Sequence, residues 1–518
     1  MRWNRKRIMN SVIGGVLLLT VLAGCSSGNE PDATAPAPAG NADEAKTDAT
    51  KEKPFPISFM LKSYVNDSAT PESKVWKKIE EYTNTKLDLQ FTPDTNYTDK
   101  LNIALASGNL PTLVFTNNAK DSAIANAING GAFWEIGPYF SDYPNLSQAN
   151  PNVLENTSVN GKYYGIYVSR PIGRYGIMYR KDWLDVLGMK EPTTIDEFYD
   201  MLKAFTDNDP DKNGKDDTYG MVVTRFGGPW DMMQTWFGAP NKWRDEGGKL
   251  VPTHLTPEYM DALKFFKKLY DEKLVNQDFA VYDSAKWNDP VINNQAGVIL
   301  DVTERSYQID EQMQQSNPNG AMEVMGAVSG PKGLFNLPTA GHNGMFLISK
   351  SAVKTEDDLR KVLAFIDKTN DKETQALISQ GMEGTHYKLE DGKLVPLLLS
   401  TDPMTPDINN KSITQILTSI PYLTPDMFKP ATPLRAKSLE VQRANEKIVV
   451  TNPGEPLTSP TYTMKGAQLD QIVNDARTKF IVGKIDEAGW NAEMELWKKS
   501  GGDDYMKEMS EAYAQNKK

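Results

Sequence analysis

The chain has 518 residues, with 57 Lys and Arg against 68 Asp and Glu, a net charge of −11 and a single cysteine. An acidic balance with no basic stripe excludes a nucleic-acid partner, and one cysteine excludes an intrachain disulfide. The roughly 460 residues from Phe55 onward exceed a usual single core, so two lobes are expected.

In chain order, residues 1–24 open with Arg2, Arg5, Lys6 and Arg7 and continue into the apolar run Val12 to Leu22. That pattern is a secretory signal, too short for a typical membrane span. Its removal leaves a mature charge of about −15, because it carries four basic and no acidic residues. It closes on Leu22-Ala23-Gly24-Cys25, which resembles the bacterial lipobox. The resemblance implies that Cys25 is acylated, with a lipid such as palmitate, and becomes the first mature residue. Residues 25–54 contain no large apolar side chain and are rich in Ala, Pro, Ser, Asp and Lys. They read as a lipid anchor and flexible tether.

The globular part begins with strand-like Ile57 to Leu61, helical Lys74 to Tyr82, strand-like Leu87 to Phe91, helical Asp99 to Ser107 and a short strand at Leu113. This alternation predicts a parallel α/β sheet. The grammar returns after Pro192, where Thr194 and Glu197 form a capping box. The following helix carries Ile195, Phe198, Tyr199, Leu202 and Phe205 on one stripe. Tyr219 to Thr224, Val298 to Leu300 and Met345 to Ile348 read as strands. Pro257 to Tyr270, Leu359 to Ile366 and most of the last hundred residues read as helices.

Between that second helix and the strand at Tyr219 lies DNDPDKNGKDD. Aligned on Gly214, it supplies Asp209, Asp211, Asn213, Lys215 (through its carbonyl) and Asp217 at positions 1, 3, 5, 7 and 9 of an EF-hand-like calcium loop. Position 12 is Gly220, not Glu, and a strand follows instead of a helix, so a two-helix calcium sensor has nothing to open. A structural calcium, a regulatory one and a solvated acidic turn are the three readings.

Three stretches, LNIALASGNLPTL from Leu101, YGIMYRKDWLDVLGMKEPTTIDEFYDMLKAF from Tyr175 and MEGTHYKLEDGK from Met382, together resemble the bacterial extracellular solute-binding lipoproteins that feed sugars to ABC importers. The resemblance is to the family 1 type and its alginate-oligosaccharide binders, and it covers the mature body. It implies an α/β, two-lobe, periplasmic-binding-protein-like fold with the ligand cleft between the lobes. The implied lobes are residues 55–168 with 342–405, and 169–341 with 406–518, crossing near Ser169, His342 and residue 405. It also implies a monomer, lipid-anchored outside the cytoplasm, which captures a carbohydrate and delivers it to ABC permease subunits. Relatives carry a structural calcium in a loop like this one, with the residue after position 9 often Glu. Here it is Thr218, which departs from that pattern, and a hydroxyl, a carbonyl or a water would take the place of the Glu.

Sugars offer apolar C–H faces to flat rings and hydroxyl edges to amides, carboxylates and Arg. The segment GGPWDMMQTWFGAPNKW, from Gly227, shows no clean period, so Trp230, Trp236 and Trp243 are candidates for stacking, with a plain core role as the alternative. Ligands of α/β sheets sit beyond the carboxyl ends of strands. Asn117, Asn118, Arg170, Arg174, Asp301, Glu304, His342, Asn343 and Tyr387 are therefore further candidates, each with a packing role as the alternative.

Histidine occurs only at 254, 342 and 386, and the sequence contains no zinc-protease, nucleophile-elbow or P-loop motif. A glycoside hydrolase needs only two carboxylates and leaves little signature. It stands as the enzymatic alternative to a receptor, and a lipoprotein that presents its ligand to a sensor kinase is a second one.

Overall fold

The computed structural model describes residues 53–63, 68–159, 161–397, 413–420, 429–430 and 432–516. The signal segment, Cys25, nearly all of the tether and the expected crossing at residue 405 lie outside the described residues. Residues Glu52–Lys518 form one compact unit. Among the described residues, no helix is long and apolar enough to cross a membrane.

Two sheets organise this unit. The first is five-stranded, in the order Thr85–Pro93, Phe55–Ser63, Leu113–Thr116, His342–Ile348, Gly165–Ser169. Its first three strands are parallel, as the alternating elements predict, because each is reached through a covering helix. His342–Ile348 enters antiparallel between Leu113–Thr116 and Gly165–Ser169. The sheet is therefore mixed, a difference from the expected all-parallel one.

The second sheet is four-stranded, in the order Met322–Met325, Tyr175–Arg180, Ala296–Val302, Tyr219–Met221. Only the last pair is parallel. The strand Tyr175–Arg180 follows directly on the crossover from the first sheet, so it enters this one without a covering helix of its own.

Each sheet has its own core. Phe59, Val114, Phe346 and Ile348 centre the first; Ile177, Phe198, Phe205, Val298 and Leu300 centre the second. The chain passes between them after Ser169 and returns at His342. Ile416, Leu417 and Ile420 pack in the first core, so residues 413–420 do not belong to the second lobe as the boundary at 406 would have it. Their apolar side chains fill the space beside the strand Phe55–Ser63. The helix Pro433–Asn445 then joins the second lobe, where Ser438 and Gln442 hydrogen-bond Thr303 at 2.9 and 2.7 Å.

The capping box forms as expected: the Thr194 hydroxyl accepts from the Glu197 amide and the Glu197 carboxylate accepts from the Thr194 amide, both at 3.2 Å. The helix Ile195–Asp207 buries Ile195, Phe198, Met201, Leu202 and Phe205.

Candidate binding cleft

A cleft of about 930 Å³ lies between the lobes. The first lobe contributes Lys62, Tyr97, Asn117, Asn118 and Lys120. The second contributes side chains from the helices Gly228–Trp236, Pro257–Asp271 and Pro460–Ile481, from the hairpin at Trp243, and from the C-terminal helices. A smaller cavity of about 250 Å³ shares Asn117, Asn118, Lys120 and Glu455 with it and reaches His342.

The aromatic wall is a chain of three rings, of which Tyr462, 38% exposed, is the outermost and Trp243, 4% exposed and packed with Leu250 and Met509, is the innermost. Tyr462 stacks on Tyr505, with centroids 4.6 Å apart, and Tyr505 meets Trp243 edge-on at 5.0 Å. Trp243 is seated by Gly454, where a Cβ would come within 2.6 Å of its ring. Burial pushes both phenols up, so they stay neutral hydroxyl groups over the physiological range.

The polar wall is mixed in charge. Arg477 donates to Asp231 at 2.7 Å and to Asn474 at 2.9 Å. The Lys120 ammonium donates to the main-chain carbonyls of Asn156, at 2.8 Å, and of Glu455. Burial lowers the Lys120 amine to about 8. Burial alone would raise the Glu455 carboxyl, but Lys242 and Lys120 outweigh it and hold that group below its usual range. Burial also lowers His254 to about 3 and His342 to about 4, leaving both imidazoles neutral at physiological pH.

Of the sequence candidates, Asn117, Asn118 and Trp243 line the cleft, and His342 lines the adjoining cavity. Trp230 and Trp236 do not. They are 2% and 0% exposed in the second core, where Trp230 packs on Phe266 and Phe279 and Trp236 on Phe198. Their segment is not irregular: Gly228–Trp236 is a helix buried on nearly every side, which erases the period an amphipathic helix would show.

Arg174 is tied to Glu304 at 2.8 Å, and Asp301 pairs with Arg305. None of these lines the cleft. Asn343 and Arg170 are half-buried outside its wall, and Tyr387 lies in the hairpin Tyr387–Glu390 with Lys393–Pro396. Asp301, Asn343 and Tyr387 lie within the strands Ala296–Val302, His342–Ile348 and Tyr387–Glu390, not beyond strand ends, and ion pairs engage Arg174, Glu304 and Asp301.

Sequence reading missed Lys120, Asp231, Gln234, His254, Tyr462, Arg477 and Tyr505. Most stand on helices whose apolar stripes announce packing, and nothing local marks the face that meets the other lobe.

The acidic loop is a self-bonded turn. Asp209 and Lys212 take left-handed backbone angles, as does Gly214 at φ 77°. The Asn213 side-chain amide donates to Asp211 at 2.9 Å and to Asp217 at 3.0 Å, while Asp209 accepts from the amides of Asn213 and Gly214. Burial first, then the neighbouring Asp209 and Asp217, raises the Asp211 carboxyl. Thr218 is turned inward, its hydroxyl donating to the Phe205 carbonyl at 2.9 Å. Among the described residues, no three His, Cys, Asp or Glu side chains are already set around a metal position.

The family model of bacterial extracellular solute-binding proteins matches residues 62–376. Lipoprotein LipO of Bacillus subtilis (strain 168) is 45% identical over 468 residues, 89% of this chain and 93% of that protein. The polygalacturonan/rhamnogalacturonan-binding protein YtcQ of the same organism is 36% identical over 507 residues, 96% of each. An extracellular solute-binding protein from Bifidobacterium longum subsp. infantis superposes with a TM-score of 0.68 at 17% identity, over 90% of this chain and 99% of that one. The alginate-binding protein AlgQ2 without calcium ion gives 0.63 at 20% identity, over 89% and 98%. Both likenesses show the two-lobe fold.

Proposed function

The chain belongs to the bacterial extracellular solute-binding proteins, and from that premise we propose that it captures an extracellular oligosaccharide and delivers it to an ABC importer. The observation that carries the sugar reading is the cleft itself. Its second-lobe wall sets the ring chain Tyr462–Tyr505–Trp243 beside amide, hydroxyl and imidazole groups. Flat rings match the C–H faces of pyranoses, and the polar groups match their hydroxyl edges. At about 930 Å³ the space takes more than one sugar unit. The name of YtcQ, a binder of polygalacturonan and rhamnogalacturonan, supports the class.

Delivery follows from the architecture. A ligand held by both lobes favours their closed arrangement, and a permease that recognises that arrangement receives only loaded protein. The chain acts as a receptor without turnover, as a monomer held to the outer face of the membrane by a lipid on Cys25. The name of LipO, a lipoprotein, supports the anchor.

The loop at 209–217 fits a structural calcium by its donor chemistry. Asp209, Asp211, Asn213 and Asp217 present only oxygen and amide groups, and the Asn213 amide now stands as donor between two carboxylates. These side chains, with the Lys215 carbonyl, would hold the ion, which would neutralise carboxylates that repel one another. The Thr218 hydroxyl is engaged elsewhere. The name of AlgQ2 "without calcium ion" supports a calcium in relatives of this fold.

The test is a melting-temperature screen of the chain from Ser26 against oligosaccharides in calcium. A true ligand raises the midpoint in a concentration-dependent way and is recovered chemically intact. A ligand that returns cleaved would make the protein a glycoside hydrolase, and no shift with any oligosaccharide would end the sugar reading.

A further inference from the structure

Within the helix Gly228–Trp236 every residue is buried except Gly228 and Asp231. The Asp231 side chain keeps 47% of its surface exposed, and it lines the cleft. Gln234 Oε1, Thr253 Oγ1 and His254 Nε2 lack hydrogen-bond partners among the described residues, but these atoms lie below the surface, out of a ligand's reach. Asp231 is the acceptor that this helix offers to the cleft itself.

The carboxylate is held in place from behind. Arg477, with only 11% of its side chain exposed, donates through Nη1 to Asp231 Oδ1 at 2.7 Å and through Nη2 to Asn474 at 2.9 Å. A Cβ at Gly227 would collide with Arg477 Nη2, so that glycine makes room for the guanidinium beside the helix start. Asp231 stands in the first turn of its helix, where the dipole favours an anion. Among the described residues no hydrogen bond engages its second oxygen, Oδ2. The ion pair is balanced in charge, so a cationic group gains little here, while the exposed oxygen repels a carboxylate. An O–H donor suits it, since a hydrogen bond to an ionised acceptor is roughly twice as strong as a neutral one.

We propose that Asp231 is a specificity-determining acceptor of the cleft: its carboxylate takes hydrogen bonds from adjacent hydroxyls of one uncharged sugar unit, and Arg477 is its positioning residue. This rests on the carbohydrate reading above and deepens it. Tyr462, Asp470, Asn474 and Arg477 line the cleft from one face of the helix Pro460–Ile481. Tyr462 and Arg477 lie about four turns apart on it, about 22 Å at a rise of about 1.5 Å per residue. The ring wall and Asp231 therefore read different units of one oligosaccharide. A uronate at the Asp231 position brings a second carboxylate close to the first, even where its hydroxyls reach it. A neutral unit brings the hydroxyls alone.

The experiment uses the chain from Ser26 in calcium, incubated with a mixed hydrolysate of pectin, xylan and mannan that contains both neutral and uronic oligosaccharides. Retained sugars are separated with the protein by gel filtration, released by heat and identified by mass spectrometry. The wild type is expected to retain fragments with at least one neutral unit. Asp231→Asn keeps an oxygen for Arg477 but loses the charge and turns an amide N–H toward the cleft. It then retains at least tenfold less, and the uronic share of what it retains rises. Asp231→Glu keeps the counter-charge of Arg477 but displaces the oxygens by one methylene. It also loses retention, without the rise in uronic share, and serves if Asp231→Asn does not fold. A merely structural ion pair would lower the ligand-free melting midpoint and leave the amount and composition of retained sugar unchanged. That result in either folded variant overturns the assignment. Retention of wholly uronic fragments by the wild type overturns it too, and this arm decides if neither variant folds. If the wild type retains nothing from the hydrolysate, the carbohydrate reading itself falls, and the role of Asp231 with it.

Discussion

The Lys120 ammonium, on the first lobe, donates to the main-chain carbonyl of Glu455, which travels with the second lobe, and to that of Asn156 on its own lobe. It is a polar tie across the cleft made by a half-buried cation, and burial lowers its pKa to about 8. The folded chain therefore releases this proton near pH 8, while the unfolded chain holds it to about 10.5. Between those values the unfolded state binds more protons, so stability rises with pH, by at most about 1.4 kcal/mol per unit from this group. Lys120→Met should flatten that rise. Denaturant unfolding of both proteins at pH 7, 8.5 and 10 checks it, and parallel profiles would refute the assignment.

The acidic loop gives a second expectation. Calcium at a hundredfold excess over its Kd should stabilise the folded chain by about 2.7 kcal/mol. Asp209→Ala with Asp211→Ala should melt, in calcium, where the wild type melts in chelator. A double variant that still shifts with calcium would place the ion elsewhere.

The aromatic residues should separate into two classes. Trp236 is fully buried against Phe198, so Trp236→Ala should cost about 3–5 kcal/mol of stability. Tyr462 is 38% exposed on the cleft wall. Tyr462→Ala should cost under about 1 kcal/mol of stability and weaken oligosaccharide binding about tenfold, the loss of one ring face. Calorimetric titration beside thermal melts distinguishes the two, and unchanged affinity in Tyr462→Ala would remove it from the binding surface.

Cys25→Ser should move the protein from the membrane fraction into the medium, because no other anchor is expected. Stable anchoring takes more than one acyl chain, so intact mass measurement of the wild type should show a multiply acylated cysteine. A membrane-bound Cys25→Ser variant would point to another attachment.

The local alphabet of the fold was legible because its cause is local. Thr194 and Glu197 declare a helix start by their own hydrogen bonds, and Leu87 to Phe91 declares a half-buried strand by its alternation. The oxygen spacing from Asp209 to Asp217 likewise follows from one tight turn. Strand direction was less legible. Antiparallel entry of His342–Ile348 pairs residues more than two hundred positions apart, and no local period encodes that.

The cleft was the least legible part. Trp230 and Trp236 looked exposed to ligand because their helix lacks a polar face, and it lacks one because it is packed on nearly every side. Tyr462 and Tyr505 looked like ordinary helix residues, yet stack to form the cleft wall. By itself the sequence determined the signal and lipobox pattern and the calcium-like loop, each set by neighbours within a few residues, and its length and family resemblance pointed to the two-lobe α/β class. Only the tertiary structure decided which rings line the cleft and which amide, hydroxyl and imidazole atoms are left without partners. Those properties arise where two lobes and five helices of the second lobe meet, and a side chain's solvent exposure is fixed by what packs against it, not by its neighbours in the chain.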